Sequence, residues 1–129
     1  MMTSTIVLTT LALLAWPSLS LAQSESEMNR EAFQAFAVAN QELKTVIASY
    51  RARLAEAQQP LVDKSQESWG HFRDAACEFE SSGSVDDVSY SKIFLACLES
   101  VTCDRLEHMK HLINCETEDL SCPVLKSGI

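Results

Sequence analysis

The chain has 129 residues, with 18 acidic against 10 basic side chains and a formal net charge of −8. That balance weighs against nucleic acid or anionic lipid as a partner and favours a cationic one, with solubility as the plainer use of the charge. Glycine and proline are scarce, at three each, and no internal repeat is visible, so the long stretches of helical periodicity make the chain all-α.

The first element is the apolar run from Ile6 to Leu21, which ends in the small-x-small pattern Ser20-Leu21-Ala22. Such a pattern suits cleavage before Gln23 and marks residues 1–22 as a signal peptide, although its n-region carries no Lys or Arg. A span takes about 20 apolar residues, and this run is shorter and interrupted by Pro17. No cysteine follows the cleavage point to carry a lipid, so the product is expected to be periplasmic or secreted, with no membrane insertion after cleavage. The remaining residues 23–129 are within the size of a single domain.

A first amphipathic helix is predicted from about Ser26 to Gln58, with Ala32, Phe36, Ala39, Leu43, Ile47, Tyr50 and Leu54 along one face. Pro60 cannot continue it but is tolerated in the first turn of a second helix, whose Leu61, Trp69, Phe72, Ala76 and Phe79 are read as one face. Ser81 to Ser89 is a loop with helix-capping residues at its far end. A third helix follows from about Tyr90 to Asn114, its face built from Tyr90, Phe94, Cys97, Leu98, Val101, Leu106, Met109, Leu112 and Ile113. From about Cys115 the chain is a polar tail strapped to the rest. Burying these faces predicts an antiparallel bundle of about three long helices with a disulfide-tied C-terminal tail.

Helical-wheel arithmetic places Arg105 near the centre of the third apolar face, with Arg73 and Asn40 at the edges of the second and first. Such groups need partners, so a polar cluster that fixes helix register is the leading reading and a ligand site the lesser one. His108 and His111 lie three apart on the third helix, but two histidines without further ligands predict no metal site. No nucleophile motif, zinc-protease motif or phosphate-binding glycine loop occurs, and Glu67, Asp74, Glu78, Asp86 and Asp87 read as solvated groups. Neither an enzyme nor a cofactor is expected.

Five cysteines between Cys77 and Cys122 fit an exported chain as two bridges and one leftover thiol. The preferred map joins Cys77 to Cys97 and Cys115 to Cys122, leaving Cys103 on the polar face with Glu99, Glu107 and Lys110 as a free or dimer-forming thiol. The rival map joins Cys103 to Cys122.

The segment LVDKSQESWGHFRDAAC from Leu61 to Cys77, followed by Cys97, Thr102, Arg105 and Met109, resembles the LprI-like lysozyme-inhibitor family of small exported bacterial proteins. The residues that carry the likeness are Gln66, Trp69, Arg73, Asp74, Cys77, Cys97 and Arg105, and they read as structural. The chain departs from the family pattern in having no cysteine between residues 23 and 60, and in placing Asn40, Lys44 and Ile47 where Asp, Asn and Tyr are usual. The resemblance implies a protein partner, lysozyme in some relatives, bound by occlusion without turnover. Charge and exposure nominate Glu78, Glu80, Asp86 and Asp87, and in the tail Glu116, Glu118 and Asp119, as contacts. The alternative is an envelope adaptor or stress protein that binds another exported protein through the Cys103 face; a cell-wall hydrolase would need two carboxylates facing a cleft.

Overall fold

Apolar residues recurring at threes and fours can be covered only if each helix lays that line against another, and three helices do so here. The computed structural model describes residues 17–115, 120–123 and 125. Helix α1 runs from Pro17 to Arg53, α2 from Gln59 to Ser81 and α3 from Tyr90 to Ile113. On α1 and just after it, Ala39, Leu43, Ile47, Tyr50 and Leu54 are buried, and on α3 Leu98, Thr102, Leu106 and Met109 are. Leu43, Ile47, Tyr50, Leu54, Leu106 and Met109 form one cluster, closed by Val62 and Trp69 from α2 and by Leu125 from the tail.

Thr102 is absent from the predicted face of α3, yet it is fully buried, and its hydroxyl is satisfied by donating to the Leu98 carbonyl at 2.6 Å. Val101 and Cys97, counted in that face, are only half-buried.

The helices run up, down and up. Lys92 near the start of α3 reaches Met28 of α1, while Leu54 just beyond α1 packs in the same cluster as Met109 near the end of α3. Thus α1 and α3 are parallel, α2 is antiparallel to both, and the α1–α3 seam carries most of the packing; α2 leans on α3 and scarcely touches α1. At about 1.5 Å per residue, the 37 residues of α1 extend about 55 Å. Because α3 begins at Tyr90, the part of α1 before about Met28 overruns its neighbour. That overrun includes the expected cleavage point between Ala22 and Gln23, through which the helix passes unbroken.

α1 stops at Arg53, earlier than the predicted Gln58. The chain turns extended at Ala55, with φ −55° and ψ 148°, before a short 3-10 turn at Glu56–Gln58 keeps the helical look of the sequence going. The break is held by Arg51, whose guanidinium grips both carboxylate oxygens of Asp63 at 2.7 and 2.9 Å and also donates to Gln59 at 3.1 Å. Gln59 in turn donates to the Leu54 carbonyl at 3.3 Å, and Pro60 sits within the first turn of α2, where no N–H is needed.

α2 presents a different line from the predicted one. Val62, Gln66, Trp69, Arg73, Ala76 and Cys77 turn inward, while Phe72 and Phe79 are 64% and 80% exposed and Leu61 is exposed with them. Leu61, Phe72 and Phe79 lie along one stripe of the helix, about 130° round from the Gln66–Arg73–Cys77 line. Only one of the two can meet α3. The inward line is the one that carries Trp69 and the half-cystine.

Cys77 is bonded to Cys97, with Cα atoms 5.6 Å apart, and ties α2 to α3 across the turn between them. Cys115 is bonded to Cys122 at 5.8 Å, which folds the tail back so that Leu125 forms an antiparallel bridge with Leu54. Replacing both Cys77 and Cys97 with serine should cost about 3 kcal/mol, the loop entropy of a closure of this size, measured as a lowered denaturant midpoint with the slope retained.

Candidate functional site

Trp69 packs from α2 against the core shared by α1 and α3, and two guanidiniums approach its ring. Arg73 is 5.2 Å from the indole centroid and Arg105, on α3, is 5.8 Å from it. Arg73 also lies 5.2 Å above the Phe36 ring of α1 and donates to Asn40 at 3.4 Å, a second link between α1 and α2 beside the Arg51–Asp63 pair. Its charge is answered by Asp74 at 2.7 Å. Arg105 donates to Gln66 at 3.3 Å and to Ser65 at 3.0 Å, both neutral oxygens. Burial pushes its pKa below the ordinary arginine value.

The predicted polar cluster of Asn40, Arg73 and Arg105 therefore exists as two halves that meet at Trp69. Asn40 belongs to the Arg73 half, and the carboxylate that the sequence left unidentified is Asp74. Together Gln66, Trp69, Arg73 and Arg105 make a bracket that fixes how α2 sits on the other two helices, with Cys77–Cys97 fastening its far end.

A second region differs in character. From Glu78 to Val88 the end of α2 and the turn into α3 expose Phe79, Val85 and Val88, the valines at 61% and 70%. Around them stand the exposed carboxylates of Glu78, Glu80, Asp86 and Asp87. Asp87 is already engaged: it accepts from the Ser89 amide at 2.8 Å and the Ser89 hydroxyl at 2.6 Å, which hold its carboxyl below the usual range. Ser89, the expected N-cap of α3, makes no side-chain cap, because its hydroxyl is turned back to Asp87.

Residues 18–109, more than half of the chain, match the family model described as Lysozyme inhibitor LprI. The chain belongs to the LprI family of lysozyme inhibitors. Comparison with curated proteins finds no match, and comparison with solved structures finds none either.

Of the acidic residues nominated for contact, Glu116, Glu118 and Asp119 lie outside the described residues; the Cys115–Cys122 bond and the acidic turn stand at opposite ends of α3. The 24 residues of α3 separate the two ends by about 36 Å. Phe79 was invisible to sequence reasoning as a surface residue, since an apolar residue in a helical pattern is assigned to the core by default; Val85 and Val88 fall in the segment read as a loop.

Cys103 carries no bridge. Contrary to its predicted place on an exposed polar face, it is half-buried beside α1, in a hollow lined by Ala35, Val38 and Glu42. Burial raises its pKa first, and Glu99, Asp104, Glu42 and Glu107 raise it further, so the LprI thiol is held protonated and slow to react. His108 and His111 are both exposed, and no three metal-ligating side chains converge among the described residues.

Two outcomes follow for the LprI chain. Trp69→Ala should lower stability by about 3 kcal/mol, the lower end for a large aromatic because the indole is only partly buried, measured by denaturant unfolding. Asp87 has a folded pKa below its unfolded value, so its contribution is present above about pH 3.9 and is lost as pH falls through the lower folded value. The Ser89 amide resonance should accordingly titrate with a midpoint below 3.9, an unperturbed carboxylate value, and Asp87→Asn should abolish that titration.

Proposed function

We propose that this chain is exported after removal of residues 1–22 and that residues 23–129 inhibit lysozyme by non-covalent occlusion, without turnover. The observation that carries the reading is the turn from Glu78 to Val88, where exposed Phe79, Val85 and Val88 are surrounded by carboxylates. Most exposed apolar residues on a monomer stand singly; a cluster rimmed by polar groups marks a surface that meets another protein. Its acidic rim, on a protein of net charge −8, suits a cationic enzyme, and like that of other charged interfaces it would act mainly on the rate of encounter. Family membership supplies the enzyme class. No helix among the described residues is long and apolar enough to cross a membrane, which is compatible with a freely diffusing product in the periplasm or medium.

Within this reading the turn is the contact surface, with Phe79 as its apolar anchor and Glu78, Glu80 and Asp86 as the steering charges. The Trp69 bracket holds the helix that carries the contact and does not itself touch the partner.

The test is a cell-wall clearing assay with animal-type and goose-type lysozymes, run at low and physiological salt alongside stopped-flow association. Inhibition should be dose-dependent and weaken with salt. Neutralising Glu78, Glu80 and Asp86 together should slow association several-fold at low salt, whereas Phe79→Ala should mainly speed dissociation. Absence of inhibition of either enzyme at about 50 μM, near the weak end of useful complexes, would overturn the proposal.

A further inference from the structure

Where α1 ends and α2 begins, the three helices leave a cavity of about 190 Å³. Its floor is apolar, formed by Tyr50, Leu54, Val62 and Met109, and its polar edge carries Arg105 and His108. Pro123 of the disulfide-tied tail borders it as well. The cavity lies at the opposite end of the molecule from the acidic turn, so it belongs to a different surface from the one proposed for lysozyme.

Two groups on its wall lack a complement. Arg30, Arg51, Arg73 and Lys110 each have a carboxylate partner, but Arg105 forms no ion pair among the described residues. Of the five N–H donors of a guanidinium, two are taken, by Gln66 and Ser65. No nearby carboxylate offsets the effect of burial on this charge. The second group is the Tyr50 hydroxyl: the residue is 1% exposed, and its oxygen is buried without a hydrogen-bond partner among the described residues. Leaving a buried hydroxyl unpaired costs about 1–3 kcal/mol, and a buried cation served only by neutral oxygens is similarly underserved.

We propose that this cavity binds a small monocarboxylate with an apolar tail, the carboxylate on the free donors of Arg105 and the tail against Leu54, Val62 and Met109. The charge of the ligand follows from the site, in which one cation stands in a strongly acidic protein, so a single negative charge is matched and a dianion is not. The size follows from the volume. A space of this size, open on one side, takes a short aliphatic tail with the head at the Arg105 edge, and hexanoate is a probe on that scale.

The chain contains two tryptophans, Trp16 and Trp69, so in a chain carrying Trp16→Phe the only indole is the one Arg105 covers. Hexanoate titrated into that oxidised chain should change Trp69 fluorescence saturably, with an apparent Kd of about 1 mM or tighter, as expected for a ligand of so few atoms. Hexanol, which keeps the tail and loses the charge, should bind at least about tenfold more weakly, and so should hexanoate to Arg105→Gln. The comparison of hexanoate with hexanol needs no change at Arg105 and decides the matter even if Arg105→Gln unfolds. Val62→Phe, which fills the floor, should abolish the hexanoate response while leaving the helical circular dichroism intact. Equal binding of hexanol and hexanoate, or no saturable change up to about 20 mM, would overturn the proposal. Lysozyme is not present in this experiment, so its result stands apart from that of the clearing assay.

Discussion

The structure depends on one indole in contact with two guanidiniums. α1 and α3 bury a continuous seam and need nothing else to stay together, but α2 has only a narrow inward line and almost no contact with α1. What locates it is Trp69, with Arg73 reaching to Phe36 and Asn40 on α1 and Arg105 approaching from α3. Each cation–aromatic contact contributes about 0.5–2 kcal/mol according to its exposure. Their larger effect is geometric, because one ring in contact with guanidiniums from α2 and α3 ties the position of one helix to that of the other.

This arrangement explains why the two ends of the molecule are so different. Toward the α2–α3 turn, the Cys77–Cys97 bond and the bracket fix the backbone, so apolar side chains can remain on the surface without a role in folding. Toward the α1–α2 break, the Arg51–Asp63 pair, the Leu54–Leu125 bridge and the tail loop gather around a space that the side chains do not fill. One end is a convex surface with acidic edges; the other is a hollow with a cation at its edge. A protein as small as this can thus offer two unlike surfaces because its middle is held by so few residues.

Most of the seam was legible in the sequence. The line from Ala39 to Leu54 keeps its spacing of three and four without interruption, and Leu98, Leu106 and Met109 answer it. α2 was harder because two stripes compete on it. Leu61, Phe72 and Phe79 are the more hydrophobic set, and hydrophobicity alone turns them inward, whereas the observed inward line includes Gln66 and Arg73. Those polar groups belong there only because Trp69, Asn40 and Arg105 are waiting for them, and that is a fact of three helices together. Arg105 could be singled out as a charge amid apolar neighbours. Asp74 could not be named as the partner of Arg73, since adjacent residues on a helix diverge and pair only through long, bent side chains.

The overrun of α1 past the start of α3 bears on the proposed removal of residues 1–22. As it stands, the helix has no acidic residue in its first turn. Cleavage before Gln23 would move the helix start to Gln23-Ser24-Glu25-Ser26-Glu27, a sequence with a serine and, three positions later, a glutamate. That pairing is suited to cap the first free amides, and the added carboxylates oppose the positive pole of the helix as well as the newly made ammonium group. The mature end is therefore already written inside a longer helix, and processing would trim it without disturbing a single buried side chain of the seam.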